Sequence, residues 1–363
     1  MTAPKKPKTD STPRNLRDMD VTLVHEWNDG AVRAHQDYLV GEEPLEIRVN
    51  GRSLSVTMRT PGNDFELAAG FLFTEGLIQR AEQIISIEHA KECKATERGN
   101  IVDIKLAPDV ELDLETVRRN FFAASSCGIC GKASIDAVRA RGVRPANANF
   151  RVSAETICAM PEKLHAGQQI FGRTGGLHAA GLFTARGELL VEREDIGRHN
   201  AVDKIVGWAL LGRQSAQVGE RVPRQTAHES VSHGALGKVA DRARLESQTP
   251  HAGEHAPRRA GQEAISYDAR NSLTAAEPPL PNKLPLAECV LLVSGRGGFE
   301  IVQKAAVAGA PVVASVSACS SLAVQFAREM RITLLGFLRP PRFIVYSVPD
   351  RLAIAAEAST GRC

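Results

Sequence analysis

Residues 289–337 read CVLLVSGRGGFEIVQKAAVAGAPVVASVSACSSLAVQFAREMRITLLGF. Cys289–Val293 is a short apolar run and predicts a strand. Gly295-Arg296-Gly297-Gly298 is a turn, and Phe299–Ala308 reads as a helix. Pro311–Val316 is again strand-like, Ser321–Met330 helical and Ile332–Phe337 strand-like. This alternation argues for a layered α/β domain with parallel strands. The strands are apolar throughout, as expected where both sheet faces are covered.

Upstream of this block the composition changes. From residue 213 to 285 there is no Phe or Trp and a single Tyr, amid Arg, Gln, Ser, His, Glu and Pro. We expect a disordered insertion there, looped out of the α/β domain. It holds four of the ten histidines, 228, 233, 251 and 255. Their spacing is irregular and no cysteine accompanies them, so no metal site is expected. Before the insertion, Arg198–Leu211 predicts a helix with Ala201, Ile205, Trp208 and Ala209 on one side, preceded by a strand over Leu189–Glu192. Thr174–Gly181 (TGGLHAAG) reads as a Gly-rich turn and Ser153–Gln169 as a helix.

Nearer the start, Leu45–Asn50 and Ser53–Thr60 flank Gly51-Arg52, a hairpin signal. Asn63 or Asp64 is positioned to cap a helix carrying Phe65, Ala68, Phe71 and Leu72 and ending at Glu75-Gly76. Ile84–Ala90 and Ile101–Leu106 are strand-like. The expected organisation is a polar, disordered tail over 1–20 and an N-terminal α+β region over 21–145. A layered α/β domain follows over 146–212 and 286–355, with the insertion at 213–285 and a tail at 356–363.

The chain of 363 residues is 43% apolar and 24% charged, ordinary for a globular protein of about two domains. Its net charge of +3 is concentrated in polar segments, since residues 1–20 and 213–285 each carry a surplus of two positive charges. The remainder is close to neutral, which argues against a general nucleic-acid binder. The seven cysteines, at 93, 127, 130, 158, 289, 319 and 363, include one close pair and make no secreted disulfide framework. The N-terminal stretch has no signal-peptide pattern, and no apolar run reaches the length of about 18 residues that a membrane helix needs. A cytoplasmic location is expected.

Cys127-Gly128-Ile129-Cys130, in the loop Ala123–Gly131, carries the most chemistry. A helix is expected after it, with Ile135 and Val138 on one face. Half of a zinc site is one reading, although structural zinc usually takes four ligands and the other cysteines are solitary. A redox dithiol is a second. Two small packed residues are a third, although a Gly-flanked, Ser-rich loop is a poor place for packing. The fourth is sulfur transfer, in which a thiolate accepts sulfur as a persulfide and hands it on. A helix N-terminus and Lys132 both favour the thiolate. Spacing alone does not separate sulfur transfer from redox exchange.

The rest of the chain bears on that choice. TPGNDFELAAGFLFTEGLI (60–78), SSCGICGKASID (125–136), TGGLHAAGLF (174–183), EDIGRHNAVDKIVGWALL (194–211), residues 293–327 and GFLRPPRFIVY (336–346) occur in one order. Together they resemble the formate dehydrogenase accessory (FdhD/NarQ) family of sulfurtransferases from about residue 25 to 350. The resemblance implies a carrier that takes sulfur from a cysteine desulfurase and passes it to the bis-molybdopterin guanine dinucleotide cofactor of formate dehydrogenase. The cofactor is bound as cargo, and no protein-bound metal is expected. Cys127 would hold the persulfide and Cys130 would assist or relay. The implied fold is cytidine-deaminase-like, the implied assembly a homodimer, and the formate dehydrogenase catalytic subunit a partner. A non-catalytic chaperone that only binds and delivers the cofactor is the alternative.

The resemblance places cofactor binding on Phe337, Leu338, Arg339, Pro340, Pro341 and Arg342. Two arginines around a Pro-Pro turn after a strand suit a pyrophosphate. Ser294–Gly298 and the serines at 315, 317, 320 and 321 are positioned to join the same site. His178 is followed by Ala179-Ala180 rather than by a glutamate at H-x-E spacing, and no P-C-x-x-C follows, so deaminase chemistry is expected to be missing. Glu194–Asn200 reads as a site-lining loop in which Arg198 either contacts an anion or holds structure. The roles of His178, Arg198 and Arg296 are open at this level.

Overall fold

A computed structural model describes residues 18–90, 99–110, 143–218 and 284–353. The chain opens on a hairpin of Met19–Asn28 (β1) and Ala31–Val40 (β2), turning at Asp29-Gly30, both at positive φ. The first strand thus starts two residues before the expected region boundary at Val21, and the sequence reading does not assign this hairpin. Its register places Met19, Val21, Leu23 and Trp27 on one face with Val32, Tyr38 and Val40.

A second sheet has four strands. Glu43–Val49 (β3) and Arg52–Arg59 (β4) form the predicted hairpin around Asn50-Gly51, and Ile84–His89 (β5) and Ile101–Leu106 (β6) complete it in the order β4-β3-β6-β5. Between β4 and β5 lies the helix Asp64–Thr74 (α1). Asn63 sits at its start in the left-handed region, with φ 56°, and neither Asn63 nor Asp64 supplies the expected cap. Asp64 instead forms an ion pair with Arg59 at 2.9 Å, both side chains buried, which ties the helix start to the end of β4. Leu67, Ala68, Leu72 and Phe73 are buried while Phe65 and Phe71 are only partly so, because the helix is covered on more than the predicted stripe.

Beyond residue 143 come the short strand Val152–Ser153 (β7), the helices Ala154–Gly167 (α2) and Phe171–Thr174 (α3), then His178–Phe183 (β8) and Leu189–Asp195 (β9). Ser153 caps α2, its hydroxyl accepting from the Thr156 N–H at 3.1 Å. Thr174–Gly181 is thus only partly a turn, since His178 already begins a central strand. Small residues are required there: a Cβ on Gly181 would come within 2.8 Å of Leu164 Cδ1. The helix Arg198–Val218 (α4) runs past its predicted end at Leu211, so residues 213–218 of the expected insertion are helical.

The last block follows the predicted alternation: Val290–Val293 (β10), Phe299–Val307 (α5), Val312–Ser315 (β11), Ser321–Glu329 (α6), Thr333–Arg339 (β12), Arg342–Ser347 (β13) and the short Leu352–Ala353 (β14). β10, β11 and β12 are parallel, while β8 pairs antiparallel with β10, β9 with β8 and β13 with β12, in the order β13-β12-β11-β10-β8-β9. The parallel expectation holds for this block, and the hairpins that join β8 to β9 and β12 to β13 make the sheet as a whole mixed.

One face of the six-stranded sheet packs on α2 through Ile157, Met160 and Leu164, against Phe183, Leu292, Val312 and Leu335. The other face meets α4, α5 and α6, and α1 links α4 to the four-stranded sheet within one continuous core. At the α1–α4 crossing, Gly70 and Gly207 let the backbones touch. Among the described residues no helix is long and apolar enough to cross a membrane. The expected Cys127 loop and the helix after it, most of the tail at 1–20, the insertion from 219 to 283 and the tail at 356–363 lie outside the described residues.

Candidate functional site

The parallel strands β10, β11 and β12 end on the same edge, and their loops interlock. Gly297 donates to the Ala318 carbonyl at 3.0 Å, and Ser320 donates to the Gly297 carbonyl at 3.1 Å. The Ser315 hydroxyl donates to the Gly295 carbonyl at 2.7 Å, and the Phe337 N–H donates to the Ser317 carbonyl at 2.9 Å. Phe337 is held in the left-handed region, with φ 48°. A Cβ on Gly336 would lie 2.8 Å from Tyr346 Cε2 and 2.9 Å from Cys319 Sγ, so the turn closes only on glycine.

Of the predicted cofactor residues, Phe337 is half-buried and Leu338 is in the core with its side chain against α2's layer. Arg339, Pro340, Pro341 and Arg342 are exposed on the β12–β13 turn, where Arg339 and Arg342 stand opposite one another across a cis Pro340-Pro341 bond. The Cys158 thiol of α2 donates to the Pro341 carbonyl at 3.5 Å, an interaction that sequence reading misses and that no local signal announces. Cys127 and Cys130 lie outside the described residues.

The antiparallel β8–β9 hairpin delivers more groups to this edge. His178 opens β8 and Asp195 closes β9, paired across the two strands. A Cβ built on Gly295 would lie 3.3 Å from His178 Nδ1 and 3.9 Å from Arg198 Cβ, so the loop after β10, the start of β8 and the start of α4 converge. Burial, and then the positive charges of Arg198 and Arg296, hold His178 below the usual imidazole range against the pull of Asp195. His199 Nε2 lies 3.3 Å from Glu300 Oε2.

This edge rests on buried polar groups. Lys204 Nζ, fully buried, lies 2.7 Å from Asp195 Oδ2 and donates to the carbonyls of Thr60 at 3.1 Å and Glu194 at 3.2 Å. Asn200 donates to Asp195 Oδ1 at 2.9 Å and to the Met58 carbonyl at 2.8 Å. The Glu194 carboxylate accepts from the N–H groups of Ile170 and Phe171 at 3.0 and 2.7 Å, fixing the chain ahead of β8. Within Glu194–Asn200, then, Glu194, Asp195 and Asn200 are structural, and Arg198 faces the edge. The signal for Lys204 is present in the sequence: a charge beside Ile205 on an apolar helix.

Asp195 is paired with Lys204, and among the described residues Arg198, Arg296, Arg339 and Arg342 have no carboxylate partner. By contrast, Arg48, Arg59, Arg80 and Arg193 each lie against one. Unpaired guanidinium groups over glycine loops at strand ends suit anionic, phosphate-bearing ligands.

Comparison with known proteins agrees with the sequence blocks. The model of the FdhD/NarQ family matches residues 40–221 and 280–353. A sulfur carrier protein FdhD of Streptomyces avermitilis is 42% identical over 339 residues, 92% of this chain and 95% of that protein. One from Mycolicibacterium paratuberculosis is 41% identical over 89% of this chain and 94% of its own length. A crystal structure of a putative formate dehydrogenase accessory protein from Desulfotalea psychrophila superposes with a TM-score of 0.57, at 19% identity, over 93% of this chain and 100% of that one.

Proposed function

The chain belongs to the FdhD/NarQ family, and from that membership we propose that it is a sulfur carrier serving formate dehydrogenase. In this reading it is a sulfurtransferase. The Cys127 thiolate attacks the terminal sulfur of a persulfide on a cysteine desulfurase, the donor's thiolate leaves, and Cys127 holds the sulfur as its own persulfide. Cys130 assists or relays. The acceptor is the bis-molybdopterin guanine dinucleotide cofactor, bound as cargo at the strand-end edge by Phe337–Arg342 before it enters the formate dehydrogenase catalytic subunit.

The observation that carries the cargo half of this reading is the set of guanidinium groups without carboxylate partners around the 294–298 and 337–342 loops. Such groups recognise phosphates through paired, charge-assisted hydrogen bonds. We extend the reading to a cytidine-deaminase-like layering of the domain at 146–212 and 286–355, a smaller N-terminal region over 21–145, a homodimer and a cytoplasmic location. The mixed sheet flanked by helices on both faces is compatible with that layering.

Intact mass spectrometry after incubation with a cysteine desulfurase and cysteine tests the proposal. Added sulfur that a reductant removes is expected, and Cys127→Ala is expected to lose both this sulfur and formate dehydrogenase activity in cells. An alanine variant that fully supports that activity would overturn the carrier role in favour of a chaperone that only delivers cofactor. Guanosine diphosphate affinity is expected to fall in Arg339→Ala and in Arg342→Ala.

A further inference from the structure

The family reading uses the β12–β13 turn and leaves three basic groups of the same edge unassigned. His178, Arg198 and Arg296 come from β8, α4 and the loop after β10, and Gly295 sits between them. Any side chain at position 295 would crowd the imidazole, which lies 3.3 Å from where its Cβ would be. Glycine thus keeps the space above the His178 ring open. Among the described residues the N–H groups of Gly295 and Arg296 have no acceptor, while their neighbours Ser294 and Gly297 donate to the carbonyls of Ala179 and Ala318. Two unused N–H groups, two guanidinium groups without carboxylate partners and an imidazole therefore converge.

We propose that His178, Arg198, Arg296 and the Gly295–Arg296 backbone form a second phosphate-binding subsite, one that takes a phosphate or diphosphate group of the cargo. It rests on the proposed cargo-binding role of this edge and adds where a further anionic part of the cargo sits. Two strands separate β8 from β12, so at about 4.8 Å per strand step their ends are about 14 Å apart. One phosphate cannot be shared across that gap, and the two clusters hold different groups of one extended ligand. Of the nearby carboxylates, Asp195 is buried against Lys204, and Glu300 is exposed, so that water screens its charge. The guanidinium groups supply the charge, and the glycine loop supplies backbone donors at the start of α5.

The test is calorimetric titration of the full chain with inorganic pyrophosphate, guanosine diphosphate and guanosine. Removing one charge-assisted hydrogen bond weakens affinity about tenfold. The double variant Arg198→Ala/Arg296→Ala is expected to bind pyrophosphate and guanosine diphosphate at least about tenfold more weakly, with guanosine affinity unchanged. Arg198→Lys/Arg296→Lys, which keeps both charges, recovers part of the loss, and thermal melting confirms that each variant is folded. Gly295→Val is expected to weaken pyrophosphate binding with both arginines in place. Pyrophosphate affinity within twofold of wild type in the double alanine variant overturns the subsite. If affinity falls only in Arg339→Ala/Arg342→Ala, cargo binding at this edge stands and the second subsite falls. If neither pair matters, both fall. Sulfur loading of Cys127, measured on the wild-type chain, tests the carrier role separately.

Discussion

Gly70 and Gly207 bring two helix backbones into direct contact. A methyl on Gly70 would penetrate the Asp203 carbonyl and lie 2.8 Å from the Gly207 nitrogen, and one on Gly207 would penetrate the Glu66 carbonyl. This crossing of α1 on α4 joins the four-stranded sheet to the layer that presents Arg198. Gly207→Ala is expected to destabilise the fold by about 3 kcal/mol or more, at the upper end of overpacking costs. Thermal or urea unfolding measures it, and a loss under about 1 kcal/mol would mean that the helices separate easily.

Lys304 of α5 reaches the same crossing. Its Nζ lies 3.0 Å from Asp203 Oδ2, Glu75 Oε1 and the Thr74 hydroxyl. Burial pushes the Asp203 carboxyl up to about 6 from an ordinary 3.8, although Lys304 and the Thr74 hydroxyl pull it down. An acid whose pKa is raised by folding binds its proton more tightly when folded, so stability declines as pH rises from about 4 to about 6. Lys304→Met removes the main charge that favours the ionised form. The variant's deficit is therefore expected to be larger at pH 8 than at pH 5, read from unfolding curves at the two values. An equal deficit at both would show that Asp203 stays neutral throughout.

The described thiols are poor sulfur acceptors. Burial pushes Cys319 up to about 11, and Cys158 is raised by burial and then by Glu155. Cys289 is buried. Since the thiolate is the nucleophile, iodoacetamide at pH 7.5 is expected to label Cys289 and Cys319 only after unfolding, and sulfur added by a desulfurase is expected on neither peptide. Peptide mapping by mass spectrometry decides this, and sulfur on Cys319 would contradict it.

Lys204 is the cation on which the β4 end, β9 and α4 converge. Lys204→Ala leaves Asp195 buried beside Asn200 without its counter-charge. The expected loss is about 3–5 kcal/mol in chemical denaturation, the usual cost of breaking a buried pair from one side. A loss under about 1 kcal/mol would place water at Asp195.

The β3–β4 hairpin and the α/β alternation after residue 289 are legible because local pattern and tertiary burial agree there. The parallel direction of β10, β11 and β12 is legible with it, but that of the antiparallel flanks β8 and β13 is not. Apolar runs look alike in parallel and antiparallel neighbours, and only the hairpin turns at Thr184–Glu188 and Pro340-Pro341 distinguish them. β8 reads as a turn because its Ala-Ala-Gly core is poor in β-formers. That choice of residues answers to Leu164 on α2, which the local pattern does not reveal. The glycine loops and the Arg-Pro-Pro-Arg turn are legible as loops at strand ends. Cys158 is not, because its bond to Pro341 spans 183 positions.

α4 leaves the strand-end edge at Arg198 and runs 21 residues to Val218, about 30 Å at 1.5 Å per residue. The chain is next described at Leu284, and the Leu286 N–H donates to the Ala308 carbonyl at 2.8 Å, ahead of the start of β10. Both anchors therefore lie far from the loops that carry the arginines, and the family model passes over the stretch between, from 222 to 279. The join is a permissive port, where a fluorescent reporter can be spliced in to follow the carrier in living cells.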